Sequence, residues 1–347
     1  MQNNTHAPES LTGPALLSKR VGRFHLTEKL GAGASSTVYL GHDPVIDRAV
    51  AIKILNCATN AVEKKQKEQQ FINEARAAGR LSHPNIVTIF DASSEGGVAF
   101  IAMEWLAGQD LRLLLGQGHR FDIIETATII QKIADALAYA HEQGVIHRDI
   151  KPGNIFLLPN QQPKVLDFGI ARSPNRLLDD SRDGAPTLFN NNILGTPNYM
   201  SPEQALGKAV NALTDVYSLG AVMYEMLTRQ KPFQSNDIDK LLQQIAHKAI
   251  KSPSEILPAI PASLSKIVVK AMQKDLSLRY QSAREMSQAL ERFLERDKKL
   301  KQKGGRANTD SPRKRSNQPG GANSLLWLCA MAVVLAIVAI AINPLRH

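Results

Sequence analysis

Nine consecutive residues, His147-Arg148-Asp149-Ile150-Lys151-Pro152-Gly153-Asn154-Ile155, bring a carboxylate, an ammonium and a carboxamide together in one short loop. A run this polar, broken by Pro-Gly, cannot continue a helix or a central strand, so the fold must hold it from outside. Thirteen residues after Asn154, Asp167-Phe168-Gly169 adds a second carboxylate beside an aromatic ring and a glycine. In chemical terms Asp149 is a base, Lys151 a cation, and Asn154 and Asp167 are oxygen ligands for a metal. That set suits phosphoryl transfer, in which the protein positions a nucleotide and screens charge spread over the transferred oxygens.

The remaining parts lie upstream. Leu30-Gly31-Ala32-Gly33-Ala34-Ser35-Ser36-Thr37-Val38 is a glycine-rich turn between apolar runs. Missing side chains there let backbone N–H groups approach phosphates. Taken alone, such a turn is more often only a turn. Fifteen residues after Val38, Val50-Ala51-Ile52-Lys53 puts an ammonium at the end of a strand-like run, where it can hold phosphate oxygens as a point charge. A buried lysine needs a partner. Phe71, Ala75, Ala78 and Leu81 recur at helical spacing with Glu74 beside them, so Glu74 is the expected partner of Lys53.

The ordered set GxG, VAIK, helix Glu, HRDxKxxN, DFG, GTxxY and SPE resembles the Hanks-type protein kinase family over roughly residues 21–294. The wording HRDIKPGNI and GTPNYMSPEQ is similar to its bacterial serine/threonine branch, and Lys151 two positions after Asp149 is the serine/threonine form. The resemblance implies an α+β, bilobal fold with a small β-rich lobe and a larger helical lobe. It implies ATP and Mg²⁺, with Mn²⁺ as an alternative, and protein substrates, and it allows a homodimer acting by trans-autophosphorylation. Carried over, Asp149 accepts the substrate hydroxyl proton, Lys151 steadies the γ-phosphate, and Asn154 and Asp167 hold the metal. The nucleotide would meet Leu30, Gly31, Ala32, Gly33, Ser36, Val38, Ala51, Lys53 and Glu74. Met103 and Glu104 form a hinge whose backbone would bond the adenine, and Phe156 lies below the ring. Thr196 would bond near Asp149 and Lys151, Glu203 would pair with Arg279, and Asp215 would brace the catalytic loop from a buried helix. His147, Trp105 and Tyr199 are read as packing residues.

Two departures from the pattern stand out. Ser36 occupies the third glycine position, and Asn190-Asn191-Asn192 fills a stretch where related kinases place a phosphorylated threonine. Arg148, directly before Asp149, would receive an activation-segment phosphate, with Thr187 first among the candidates, then Ser181 and Ser173. A nucleotide-binding scaffold without transfer is disfavoured by the full polar set. A small-molecule kinase is disfavoured by Gly195 to Glu203, which resembles a peptide-positioning segment.

Composition divides the chain as follows: a leader over 1–20 expected to be disordered, a kinase domain over 21–296 (lobes about 22–103 and 106–296), a basic linker over 297–323 expected to be disordered, an apolar helix over 324–342 and a short tail over 343–347. The formal charge is +10, yet the linker carries eight Lys or Arg against Asp297 and Asp310. A basic run can bind nucleic acid. Here eighteen uninterrupted apolar residues, Leu325 to Ile342, follow it. At 1.5 Å per residue they reach roughly 27 Å, a bilayer's hydrocarbon thickness. The reading is a single transmembrane helix in a bacterial inner membrane, with the kinase side held in the cytoplasm by the positive-inside tendency and no nucleic-acid partner. Cys57 and Cys329, one in the small lobe and one in the apolar run, make an intramolecular disulfide implausible and suit a reducing compartment. No Cys/His cluster suggests zinc.

Overall fold

Strand alternation organises the first part of the chain. In the computed structural model, which describes residues 20–33, 35–56, 61–168 and 197–307, six antiparallel strands form one sheet. They are β1 (Arg20–Val21), β2 (Phe24–Ala32), β3 (Ser36–Asp43), β4 (Arg48–Leu55), β5 (Ile89–Glu95) and β6 (Val98–Glu104), in spatial order β1-β2-β3-β4-β6-β5. Because successive side chains point to opposite faces, Val50 and Ile52 of β4 join Phe24, Leu26, Phe100 and Ala102 in one apolar cluster. Ala51 falls on the other face with Val87 and Met103. Helix α1 (Ala61–Ala78) covers that second face, where Phe71 and Ala75 pack on Ala99 and Ile101.

The second part is mainly helical. Short α2 (Leu111–Gly116) precedes α3 (Ile123–Glu142), whose start is fixed by a capping box between Asp122 and Glu125. A small sheet of β7 (Gln109–Asp110), β8 (Ile155–Leu157) and β9 (Pro163–Val165) borders the catalytic loop. After α4 (Pro202–Ala205) comes α5 (Leu213–Thr228), buried at every position except Glu225. A helix apolar on nearly every face must sit at the centre of its lobe. Gly220 permits its contact with α8 (Ala262–Ala271), since a Cβ there would come within 2.9 Å of Ala271 and Met272. Helices α6 (Ile238–His247), α7 (Pro253–Ile256) and α9 (Ala283–Ala307) complete the set.

The chain divides into two units, Met1–Lys298 and Lys299–His347. Contrary to a disordered linker beginning at 297, α9 continues to Ala307. The reason is local: Lys298-Lys299-Leu300-Lys301-Gln302-Lys303 is charged but made of good helix formers without proline or β-branching. The leader 1–19 and the apolar run 325–342 lie outside the described residues. Among the described residues, no helix is long and apolar enough to cross a membrane.

Candidate active site

The loop between α3 and β8 is held by α5. Asp215, fully buried, accepts the His147 N–H at 2.8 Å and the Arg148 N–H at 2.7 Å, and lies 2.8 Å from His141 Nε2. The expected brace is therefore in place, with His141 as a member that no local signal announced. His147, also fully buried, packs its ring against Phe168 and meets the Leu166 carbonyl at 2.8 Å. It is a packing residue, as expected. Arg148 takes φ of 65°, a left-handed conformation uncommon for a side-chain-bearing residue. Its carbonyl accepts the Gln204 side-chain amide at 2.8 Å. Gln204 was not singled out from the sequence; the Ser-x-x-Gln capping box that it forms with Ser201 at the start of α4 is the signal that could have found it.

Within the loop, Lys151 Nζ donates to Asp149 Oδ2 at 2.6 Å. Asn154 Nδ2 donates to the Asp149 carbonyl at 2.8 Å and to Oδ2 at 3.1 Å. With its amide nitrogen so engaged, Asn154 has its Oδ1 oxygen left to offer a cation. Asp167 sits across from it at φ of 49°, its Oδ1 2.7 Å from Lys53 Nζ. Burial works to raise the Asp167 carboxyl, but attraction to and hydrogen bonding from Lys53, with His147 and Lys151 nearby, hold it below the ordinary carboxylate range. The side chain is 41% exposed, so the charge partner is the decisive influence. The expected Lys53–Glu74 pair involves a Glu74 side chain outside the described residues; its backbone lies in α1.

The apolar cleft gathers Val38, Ala51 and Met103, all anticipated, with Val87, Ile89, Leu106 and Leu166 around them. Val87 and Leu166 were missed because each sits in an apolar run that reads equally well as core. Phe156 is half-buried on β8. The Glu104 amide is bonded to the Thr88 carbonyl at 2.9 Å, so any contact with a base from this residue falls to its carbonyl. Its carboxylate takes Lys164 at 2.7 Å. Leu30 and Trp105 are 46% and 42% exposed. Trp105, expected to pack, is thus more exposed than a core residue, at the point where the chain leaves the sheet after Glu104. Tyr199 does pack, its hydroxyl donating to Glu225 at 2.5 Å. Burial, then the Glu225 carboxylate, push its pKa well up.

The glycines of the β2–β3 turn pass a simple test for a phosphate cradle. A Cβ on Gly31 would meet nothing within 4 Å, and one on Gly33 only the Ser36 carbonyl at 3.6 Å. Packing in the protein alone does not demand them, whereas close approach by a ligand would. Ser36 is buried at the start of β3, so its side chain is not on the open lip. The oxygen-only donors Asn154 and Asp167 suit Mg²⁺, which takes few protein ligands and completes its shell with phosphate and water. Thr196, Thr187, Ser181, Ser173 and Asn190 to Asn192 lie outside the described residues. The predicted Glu203–Arg279 pair is present and buried, with contacts of 2.9 and 3.2 Å.

The protein kinase domain model matches residues 24–293. Serine/threonine-protein kinase PrkC of Bacillus subtilis is 33% identical over 82% of this chain and 42% of its own length. A probable serine/threonine-protein kinase of Clostridium acetobutylicum is 34% identical over 76% of this chain and 39% of its own. The crystal structure of a point mutant of the Mycobacterium tuberculosis PknI kinase domain superposes with a TM-score of 0.60 at 25% identity, covering 80% of this chain and 97% of that one. The chain belongs to the protein kinase family and has its bilobal fold. It spans about two fifths of the length of the curated relatives it matches.

Proposed function

We propose that this chain is a membrane-anchored serine/threonine protein kinase that transfers the γ-phosphate of ATP to protein hydroxyls, including its own. One observation carries the reading: Lys151 and Asn154 converge on the Asp149 carboxylate while Lys53 holds Asp167 at 2.7 Å across the cleft. ATP with Mg²⁺ would supply the transferable phosphoryl group and the charge that draws its oxygens. The chain's residues do the rest. Asp149 accepts the proton of an incoming hydroxyl. Lys151 would turn from Asp149 toward phosphate oxygens, Asn154 Oδ1 and Asp167 would hold the metal, and Lys53 would orient the nucleotide phosphates. The names of the relatives support the serine/threonine class, and the Lys151 position agrees with it. Anchoring rests on the apolar run after the basic segment.

Transfer of labelled phosphate from ATP to a generic protein substrate tests the assignment. Asp149→Asn or Lys53→Met should lower the rate by about two to four powers of ten, the range for losing a positioned base or charge. Wild-type rate in folded Asp149→Asn protein sinks Asp149 as the base.

A further inference from the structure

Asn56 lies just beyond the strand that carries Lys53, and it is bonded to the glycine-rich turn at three points although no step of phosphoryl transfer uses it. Strands β2 and β3 pair as far as Ala32 with Thr37. Past that pair the Gly33 N–H donates to the Ser36 carbonyl at 2.7 Å and closes the turn. Asn56 takes hold of the remaining groups. Its backbone N–H donates to the Ser35 carbonyl at 2.9 Å, its Nδ2 donates to the Gly33 carbonyl at 3.3 Å, and its Oδ1 accepts the Thr37 hydroxyl at 3.0 Å. The partners fix which way the amide faces: the Gly33 carbonyl can only accept, so Nδ2 must lie against it and Oδ1 is left for the hydroxyl.

Two properties of the turn make this contact matter to a bound nucleotide. Its glycines bring no side-chain packing, since a Cβ at Gly31 would meet nothing within 4 Å and one at Gly33 a backbone oxygen at 3.6 Å, so hydrogen bonds must set its shape. A phosphate, in turn, is drawn by backbone N–H groups and repelled by carbonyl oxygens. The Gly33 and Ser35 carbonyls, both turned to Asn56, are kept from facing it. The register ties this to the cleft: Val38 of β3 lies opposite Lys53 of β4, and three residues after Lys53 the same chain delivers Asn56 to the turn. We propose that Asn56 is a positioning residue for the nucleotide phosphates, holding the β2–β3 turn with its acceptors withdrawn so that it closes over the phosphates that Lys53 binds. The proposal rests on the protein kinase reading above and adds to it a residue that touches neither substrate nor metal.

The test compares Kd for ATP with Mg²⁺ and Kd for adenosine, which has the base and ribose but no phosphate, on the full chain in detergent. Asn56→Ala keeps the backbone bond and removes the two side-chain bonds. It should weaken ATP by about three- to tenfold, the size of one or two net hydrogen bonds, and leave adenosine as in the wild type. Asn56→Asp sets a carboxylate oxygen against the Gly33 carbonyl and should weaken ATP more than Asn56→Ala does. Thr37→Val, close in shape, removes one donor from the same network; it should weaken ATP by a smaller factor and add little when combined with Asn56→Ala. Wild-type affinity for ATP in Asn56→Ala, or equal weakening of ATP and adenosine, overturns the proposal and leaves the kinase reading standing. Wild-type protein that binds no ATP and phosphorylates no generic protein overturns the kinase reading and this proposal with it.

Discussion

Lys274 shows how one buried group sets a pH window for the whole helical lobe. Its ammonium donates to Tyr217 Oη at 2.8 Å and to the Ile245 carbonyl at 2.5 Å, and it lies 4.4 Å from the Phe233 ring centroid. Burial, then the Arg279 guanidinium, push its pKa down to about 7, with Glu203 pulling the other way. In the unfolded chain the lysine stays protonated to its ordinary pKa, so between about 7 and 10 the unfolded state binds more protons than the folded one. Stability from this group therefore rises with pH across that window. Above it, Tyr217 reverses the slope, since burial raises its pKa in the fold and the unfolded phenol ionises first. Denaturation at pH 7 and pH 9 should show wild type gaining more stability than Lys274→Met; equal gains would remove Lys274 as the cause. The neighbouring Arg279 is a different case. It is fully buried, forked onto Glu203, and also donates to the Leu213 and Gln273 carbonyls. Arg279→Ala strands a buried carboxylate and should cost about 3–5 kcal/mol, with Arg279→Lys milder but still destabilising because an ammonium cannot reproduce the fork. Thermal melts decide it.

At the scale of elements, α5 is the anchor of the catalytic loop. The Asp215 carboxylate is acceptor-only, and each donor it receives is a backbone or ring N–H of the chain leading to Asp149. Asp215→Asn turns one oxygen into a donor facing a donor, leaving a buried N–H unpaired at about 1–3 kcal/mol. Helix content should persist while turnover falls by about ten- to a hundredfold, because Arg148 loses the bond that helps hold its left-handed backbone. Amide exchange at residues 147 and 148 should quicken in the same variant; unchanged exchange would place the effect elsewhere. What the sequence made legible belongs largely to this scale. The apolar run Val50-Ala51-Ile52 ending in Lys53 announced a strand that delivers an ammonium at its end, and the spacing of Phe71, Ala75 and Ala78 announced the covering helix. The strands β7 to β9 were not legible, since two or three residues carry no period and their pairing joins distant segments. Nor was His141, whose partner lies 74 residues away. The extension of α9 was misread because 297–323 was taken as one linker by composition, while its first residues, 298–303, are good helix formers.

For the whole molecule, the unequal placement of charge and apolar residues makes a prediction that separates two kinds of membrane association. Five of the eight basic residues of 297–323, from Lys298 to Arg306, fall within α9, and the other three, Arg313 to Arg315, lie between it and the apolar run. Basic side chains near an anionic surface contribute about 1 kcal/mol each, an attraction that salt screens. Eighteen apolar residues buried in hydrocarbon contribute a term that salt does not screen. Cutting the chain after Ala307 keeps all of α9 and its basic residues and removes the apolar run. The shortened protein should remain with anionic vesicles at low salt and be released at high salt, while the full chain should stay with membranes through high salt and come off only with detergent. Release of the full chain by salt alone would reduce the association to surface charge and remove the anchor. On the proposed orientation, which puts the kinase side in the cytoplasm, a tag at His347 should be reachable from outside the cell and one at Met1 should not; the opposite pattern would reverse the orientation.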